Sequence, residues 1–388
     1  MTGAPRVALF ADTFHEVNGA ARTCREWDAF ARRRGLPFLC IRWGKRAACE
    51  DGVVWSRDLV RSGWSFPVDP DLRFDLRFSR FLDTAEAQVR RFRPDFIHLT
   101  SPGDMGILGA VVAARLRTPL AASWHTNLHE FAARRVSRSC SWLPGGVRGR
   151  LADFVERFVM DRVCWFFGRA QVLFAPNPEL AAILRARTGR PVMRMGRGID
   201  TTLFHPTRRA RTDSNLVLGF VGRLMPEKNL RLLPKVAEAL RDAGIERFRF
   251  QITGAGGERP WLERNLPNAT FTGVLTGEAL ARAYADADIF LFPSLTDTFG
   301  NVVQEALASA VPAIVMDQGG PRFIVRHGVT GIVASSEEEF CRSAAALASS
   351  ERVRREMGRA GRAQVESQSW DRVFEEVYEG YASPARVL

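Results

Sequence analysis

Residues 290–322 read FLFPSLTDTFGNVVQEALASAVPAIVMDQGGPR. Positions 289–294 form an apolar run of strand length, and 301–310 place Val303, Leu307 and Ala308 at helical spacing, so the pattern predicts a short buried strand, a polar turn and a helix. Thr296, Asp297 and Thr298 in the turn are helix-capping residue types, and Gly300 allows close backbone approach to whatever sits at the helix N-terminus. Such a terminus presents free N–H groups and the positive end of the helix dipole, which suits a phosphate or a sugar oxygen. Asp297 and Glu305 stand eight residues apart, so turn and helix can aim both carboxylates into one cleft. A plain N-cap and a solvated helix carboxylate are the alternative reading. Against it, the apolar ALASAVPAIV run after Glu305 puts that charge near buried surface, where an unpaired carboxylate is costly.

The strand, glycine turn, helix pattern recurs on either side. In LVLGFVGRLMPEKNLRLL (216–233), Gly222, Arg223 and Lys228 lie at the turn. Only three of the 55 basic residues are lysines, at 45, 228 and 235, so an ammonium kept at this turn is notable. An Arg and a Lys there can together neutralise a diphosphate, although two exposed charges would look the same in sequence. In FRFQITGAGGERPWLERNL (248–266), Gly254 and Gly256 bring backbone close to a nucleotide or simply make a turn. Both halves of the chain alternate strand and helix throughout, the signature of doubly wound α/β units.

The first half opens with a strand at 5–10, a helix at 21–34 and a strand at 36–41. Its loop, ADTFHEVNGAART, holds one glycine, Gly19, so it is not a dinucleotide fingerprint. Gly19 is either a close-approach glycine or a helix-start glycine. Residues 51–80 are irregular and predict strands and loops on the domain surface. A strand at 120–123 ends in Trp124-His125-Thr126-Asn127, where ligands bind in open parallel sheets. A histidine beside a tryptophan serves structure as readily as chemistry. From the residues alone both readings of His125 stay open, with His129 and Glu130 as weaker candidates. From 131 to 169 Arg is mixed with Trp, Phe and Leu, and Leu151, Phe154, Val155, Phe158, Val159, Arg162 and Val163 make an amphipathic stripe that reads first as core.

A chain of 388 residues is longer than one core usually organises, so two domains are expected. Six cysteines (24, 40, 49, 140, 164, 341) show no C-x-x-C and no metal-ligand spacing with the six histidines. No apolar run reaches the roughly 18 residues of a membrane span, and the opening has no signal-peptide layout, so a cytoplasmic location is expected. The net charge of +12 is uneven: residues 1–193 hold 30 Lys and Arg against 19 Asp and Glu, while 194–388 hold 25 against 24. A basic first half suits an anionic membrane surface, a phosphorylated lipid or nucleic acid.

Two stretches, GRL-x2-EKN at 222–229 and D-x7-E at 297–305, resemble those of retaining, group 1 type glycosyltransferases with the GT-B fold, including the lipid mannosyl-, glucosyl- and sulfoquinovosyltransferase-like branch. GRGID at 196–200 and WHTN at 124–127 are softer matches. The resemblance implies two facing Rossmann-like domains with the active site in the cleft between them: 1–198 for the acceptor, 199–366 for the nucleotide sugar, and a C-terminal helix in 367–388 crossing back to the first. It implies that Arg223 and Lys228 stabilise the departing nucleoside diphosphate and that Glu305 holds ribose. Asp297, with the amides of Thr298, Phe299, Gly300 and Asn301, would hold the sugar. Gly19, Gly222 and Gly254 would approach the donor, the backbone near Val274 and Leu275 the base, and His125 the reaction centre. The family usually carries Glu where this chain has Asp297, so the reach is one methylene shorter. No cofactor beyond the nucleoside diphosphate sugar and no metal is implied.

The expected activity is hexosyl transfer from a UDP- or GDP-sugar to a hydroxyl acceptor, which a membrane lipid or glycan precursor would supply. The rivals are a basic nucleic-acid-binding protein, which leaves the acidic pair and the Lys228 turn unexplained, and a nucleotide-sugar isomerase on the same fold.

Overall fold

The computed structural model describes residues 3–382 except 17, 70, 71, 141 and 143. Positions 141 and 143 of the Arg-rich segment and 383–388 of the C-terminal stretch therefore lie outside the described residues. The chain divides into two compact units, Met1–Gly196 with Trp370–Leu388, and Arg197–Ser369.

The first unit contains strands β1 (Val7–Ala11), β2 (Phe38–Gly44), β3 (Ala48–Glu50), β4 (Val54–Val60), β5 (Ser65–Asp69), β6 (Leu72–Asp75), β7 (Phe96–Leu99), β8 (Leu120–Ser123), β9 (Val172–Ala175) and β10 (Val192–Arg194). Its helices are α1 (Gly19–Arg34), α2 (Leu82–Phe92), α3 (Asp104–Leu116), α4 (Leu128–Ser139), α5 (Gly145–Phe167) and α6 (Pro178–Thr188). Eight strands form one sheet in the order β10-β9-β8-β7-β1-β2-β4-β3, parallel except for β3, which runs antiparallel to β4 at the edge. β1 (VALFA) is wholly buried, as the near-continuous apolar run of a sheet covered on both faces requires. The chain winds from β1 out to β4 and returns with β7 on the other side of β1, so the strand order reverses there. Ligand sites of open α/β sheets lie beyond the strand ends at such a reversal.

The second unit holds β11 (Leu216–Val221), α7 (Leu233–Asp242), β12 (Phe248–Thr253), α8 (Arg259–Asn265), β13 (Ala269–Gly273), α9 (Gly277–Ala285), β14 (Ile289–Phe292), α10 (Asn301–Ala308), β15 (Ala313–Met316), β16 (Gly331–Ala334), α11 (Glu337–Ala348) and α12 (Glu351–Glu366). Its six parallel strands run β13-β12-β11-β14-β15-β16, with the reversal between β11 and β14. The last helix, α13 (Trp370–Ala382), packs in the first unit, where Trp370, Phe374, Tyr378 and Tyr381 share a core with Val7, Trp27, Phe30 and Phe38. Phe374 stacks on Trp27 with ring centroids 5.2 Å apart.

Three expectations change. The 301–310 helix stops at Ala308, because Ala310 takes a left-handed conformation with φ 58°. The irregular 51–80 stretch includes β4, an interior strand with Val54 and Leu59 buried; its other positions are too mixed in polarity to reveal that. In α5 the buried face is Met160, Val163, Cys164 and Phe167, whereas Phe154, Phe158 and Trp165 are exposed. The apolar residues of α5 thus lie on two faces, and only one of them meets the sheet.

Candidate active site

Both loops that leave the reversal point of the second sheet carry charge. β11 runs into Gly222 and Arg223 and then a 3-10 turn, Pro226–Lys228; β14 runs into the 293–300 loop. Lys228 Nζ donates to both carboxylate oxygens of Asp297, at 2.7 and 2.8 Å, and lies 5.4 Å from the Phe292 ring centroid. Both side chains of the pair are partly buried. Burial pushes the Asp297 carboxyl up, but the Lys228 ammonium, hydrogen bonds from Lys228 and Ser294, and the charge of Arg223 together hold it below the usual carboxylate range. Asp297 is therefore an ionised carboxylate within a cluster of positive charge. Arg223 also approaches Glu227, Nη2 to Oε1 at 3.6 Å.

Asp297 does not cap α10, contrary to the capping expectation for the 296–298 run. The cap position is Gly300, in a left-handed conformation with φ 101° and no side-chain cap bond. A Cβ at Gly300 would stand 2.9 Å from Pro321 Cγ, so this glycine serves the loop's own packing. The loop is braced from behind by residues that sequence left without a role. Gly320 N donates to Asp297 O at 2.6 Å, and a Cβ at Gly320 would lie 2.2 Å from Thr298 O. The signal was available in the Gly-Gly-Pro run at 319–321.

Glu305 lies inside α10, 4% exposed, and accepts a hydrogen bond from the Tyr284 hydroxyl at 2.8 Å. Gln304, its neighbour, donates to Arg197 O at 3.1 Å and to Gln368 Oε1. Phe299 has its side chain in the core, so only its backbone is available to a ligand; Thr298 and Asn301 are half-buried. A Cβ at Gly254 would lie 1.9 Å from Gly222 O, so these two candidate donor-site glycines first of all allow the loops after β11 and β12 to touch. Val274 is exposed and Leu275 half-buried, directly after β13.

In the first unit Gly19 is the first residue of α1, whose cap is Asn18, with Asn18 Oδ1 accepting from Ala21 N at 2.8 Å. Gly19 thus stands at a helix start. His125 follows β8, its Nε2 2.6 Å from Ser123 Oγ. Asn127 Oδ1 accepts from Trp124 Nε1 at 2.9 Å, and Asn127 donates to Glu130 at 2.7 Å, so the segment after β8 is tied to itself. At the reversal of this sheet sits a carboxyl pair that sequence missed. Asp12 Oδ2 accepts from Ser101 Oγ at 2.7 Å and its Oδ1 from Met105 N at 3.2 Å; Asp104 Oδ2 accepts from Arg61 Nη1 at 2.7 Å. Burial and the neighbouring Asp104 charge push Asp12 up to about 8. Among the described residues no cluster of three or more His, Cys, Asp or Glu could hold a metal ion.

Comparison with known proteins gives this arrangement its class. The family described as Glycosyltransferase Family 4 matches residues 17–203, and Glycosyl transferases group 1 matches 215–350. A protein named GDP-mannose-dependent alpha-mannosyltransferase from Mycolicibacterium smegmatis is 35% identical over 97% of this chain and 96% of its own. A sulfoquinovosyl transferase from Arabidopsis thaliana is 30% identical over 73% of this chain and 56% of its own. Sucrose-phosphate synthase from Thermosynechococcus elongatus superposes with a TM-score of 0.72 at 18% identity, covering 98% of both chains. The chain therefore belongs to the group 1 glycosyltransferases with the GT-B fold, and it transfers a sugar from a nucleotide sugar.

Proposed function

We propose that the chain is a retaining, GDP-mannose-dependent α-mannosyltransferase acting on a hydroxyl acceptor at an anionic membrane face. The relative of similar length that uses GDP-mannose supports the donor. One observation carries the chemistry: Lys228 and Asp297, from the two loops at the sheet reversal, are paired with Arg223 close by. The three N–H donors of Lys228 give two to Asp297 and leave one for a phosphoryl oxygen. Arg223 and Lys228 take the charge of the departing GDP, and fixed cations of this kind act without reorganising during the reaction. Asp297, ionised, accepts from sugar hydroxyls, and the first-turn amides of α10 face the same donor. Glu305, oriented by Tyr284, receives the ribose hydroxyls. No side chain acts as a covalent nucleophile; the acceptor hydroxyl attacks on the leaving-group side and the diphosphate takes its proton. No metal takes part, the two cations providing the charge.

The acceptor reading rests on α5. Phe154 and Phe158 stack in the open with ring centroids 6.3 Å apart, and the guanidinium of Arg169 lies 3.4 Å from the Trp165 ring centroid. Exposed aromatic rings among arginines suit the headgroup region of an anionic bilayer. No helix among the described residues is long and apolar enough to cross a membrane.

The test is incubation with radiolabelled GDP-mannose or UDP-glucose and vesicles of an acidic membrane lipid extract. The expected result is mannose incorporated into an extractable product with an α-anomeric signal by NMR. Label taken up from UDP-glucose alone, or a β-linked product, overturns the assignment.

A further inference from the structure

We propose that Tyr381, His98 and Ser123 form a hydrogen-bond relay that fixes the ring tautomer of His125 with its proton on Nδ1, which makes Tyr381 of the last helix a positioning residue for sugar transfer. This rests on His125 acting at the reaction centre. His98, in the middle of β7, is fully buried. Its Nδ1 lies 2.6 Å from the Tyr381 hydroxyl and its Nε2 2.8 Å from Ser123 Oγ, which in turn lies 2.6 Å from His125 Nε2. Three short hydrogen bonds thus run from α13 through two strands to the residue after β8.

The end of α13 that carries Tyr381 approaches the sheet closely. Gly380 makes that approach possible, since a Cβ there would stand 2.6 Å from Met193 Sδ and 3.0 Å from the Phe174 ring. Trp27 packs edge-on against His98 at 4.8 Å and Phe174 covers it at 5.6 Å, which fixes the ring.

Proton accounting sets the direction. Among the described residues the Tyr381 hydroxyl has His98 Nδ1 as its hydrogen-bond partner. If it accepted from that nitrogen, its own proton would be buried without an acceptor, which is the unfavourable arrangement. Tyr381 therefore donates, and His98 Nδ1 is bare. Burial lowers the His98 pKa to about 3, so the ring is neutral and carries its one proton on Nε2. That proton goes to Ser123 Oγ. The serine hydroxyl has one proton of its own, which it gives to His125 Nε2. A neutral His125 must then hold its proton on Nδ1, as a donor. A histidine that merely filled core space would impose no such choice on His125.

Long-range 1H–15N spectra of the full chain with 15N-labelled histidine distinguish the two tautomers, with rings assigned from His98→Asn and His125→Asn. The wild type is expected to show His98 protonated at Nε2 and His125 at Nδ1. In Tyr381→Phe the relay is free to reverse: His125 becomes a tautomer mixture, and kcat falls about tenfold while the donor KM stays within about twofold. Ser123→Ala gives the same mixture at His125. An Nε2-protonated His125 in the wild type, or an unchanged Nδ1 tautomer in both variants, overturns the relay. The wild-type spectrum decides even if Tyr381→Phe does not fold. If instead His125→Ala keeps wild-type turnover, the positioning role falls through the reading it rests on while the wild-type spectrum stands, so the two failures are told apart.

Discussion

Lys228 and Asp297 bear opposite charges in a partly dry site, and neither can be changed alone without stranding the other. Replacing Lys228 with Ala is expected to lower turnover by roughly two to three powers of ten, the scale for removing one preorganised charge donor. Asp297→Asn should also impair transfer, and the double variant should be less impaired than the two losses multiplied, because each single change leaves an unmatched partner. Steady-state kinetics of the four proteins checks this. Glu305→Gln keeps an oxygen for Tyr284 but removes the charge that the proposal assigns to ribose, so weaker donor binding is expected with little change in Tm. Asp12 gives the pH dependence. Its pKa is raised in the fold, so the folded state holds a proton that the unfolded chain releases near the ordinary value of 3.8. Its stabilising contribution is complete below that value and is lost as pH climbs through about 8. Asp12→Asn mimics the protonated form, so its Tm relative to wild type is expected to rise between pH 6 and 9. A difference that stays constant, measured by differential scanning fluorimetry, would contradict the shift.

At the scale of elements, the loop after β14 is held by backbone rather than by caps. Gly320→Ala would press a Cβ onto Thr298 O, 2.2 Å away, so the 297–300 loop must move. Lower Tm and a raised donor KM are expected together, and calorimetry with kinetics reads both. Gln304 shows the same economy, since one α10 side chain reaches both chain ends of the second unit, at Arg197 and Gln368. How much of this was legible in sequence depends on range. Strand and helix alternation, and the placing of charged residues such as Lys228, Asp297 and Glu305 at turns and in a helix, are local patterns and could be read. The ion pair joins residues 69 positions apart, the Tyr284 bond 21, and the His98 contact with Tyr381 283, so no local pattern announces them. α5 misled for a different reason: apolar periodicity says that a face is apolar, not what covers it.

At the scale of the molecule, the basic excess lies in residues 1–193 and the exposed aromatic face on α5 belongs to that part of the chain. Each basic side chain near an anionic surface adds about 1 kcal/mol of attraction, so a handful gives weak binding that salt disrupts. Phe158→Ser with Trp165→Ser should reduce sedimentation with anionic vesicles while leaving nucleotide binding intact. The central claim is that the second unit binds a nucleoside diphosphate through Lys228. Thermal unfolding with GDP, in the wild type and in Lys228→Ala, tests it most directly. At 100-fold excess over the dissociation constant, bound GDP should stabilise the wild type by about 2.7 kcal/mol and raise its Tm, with most of that rise lost in the variant. No shift with GDP, or an equal shift in the two proteins, would contradict the account.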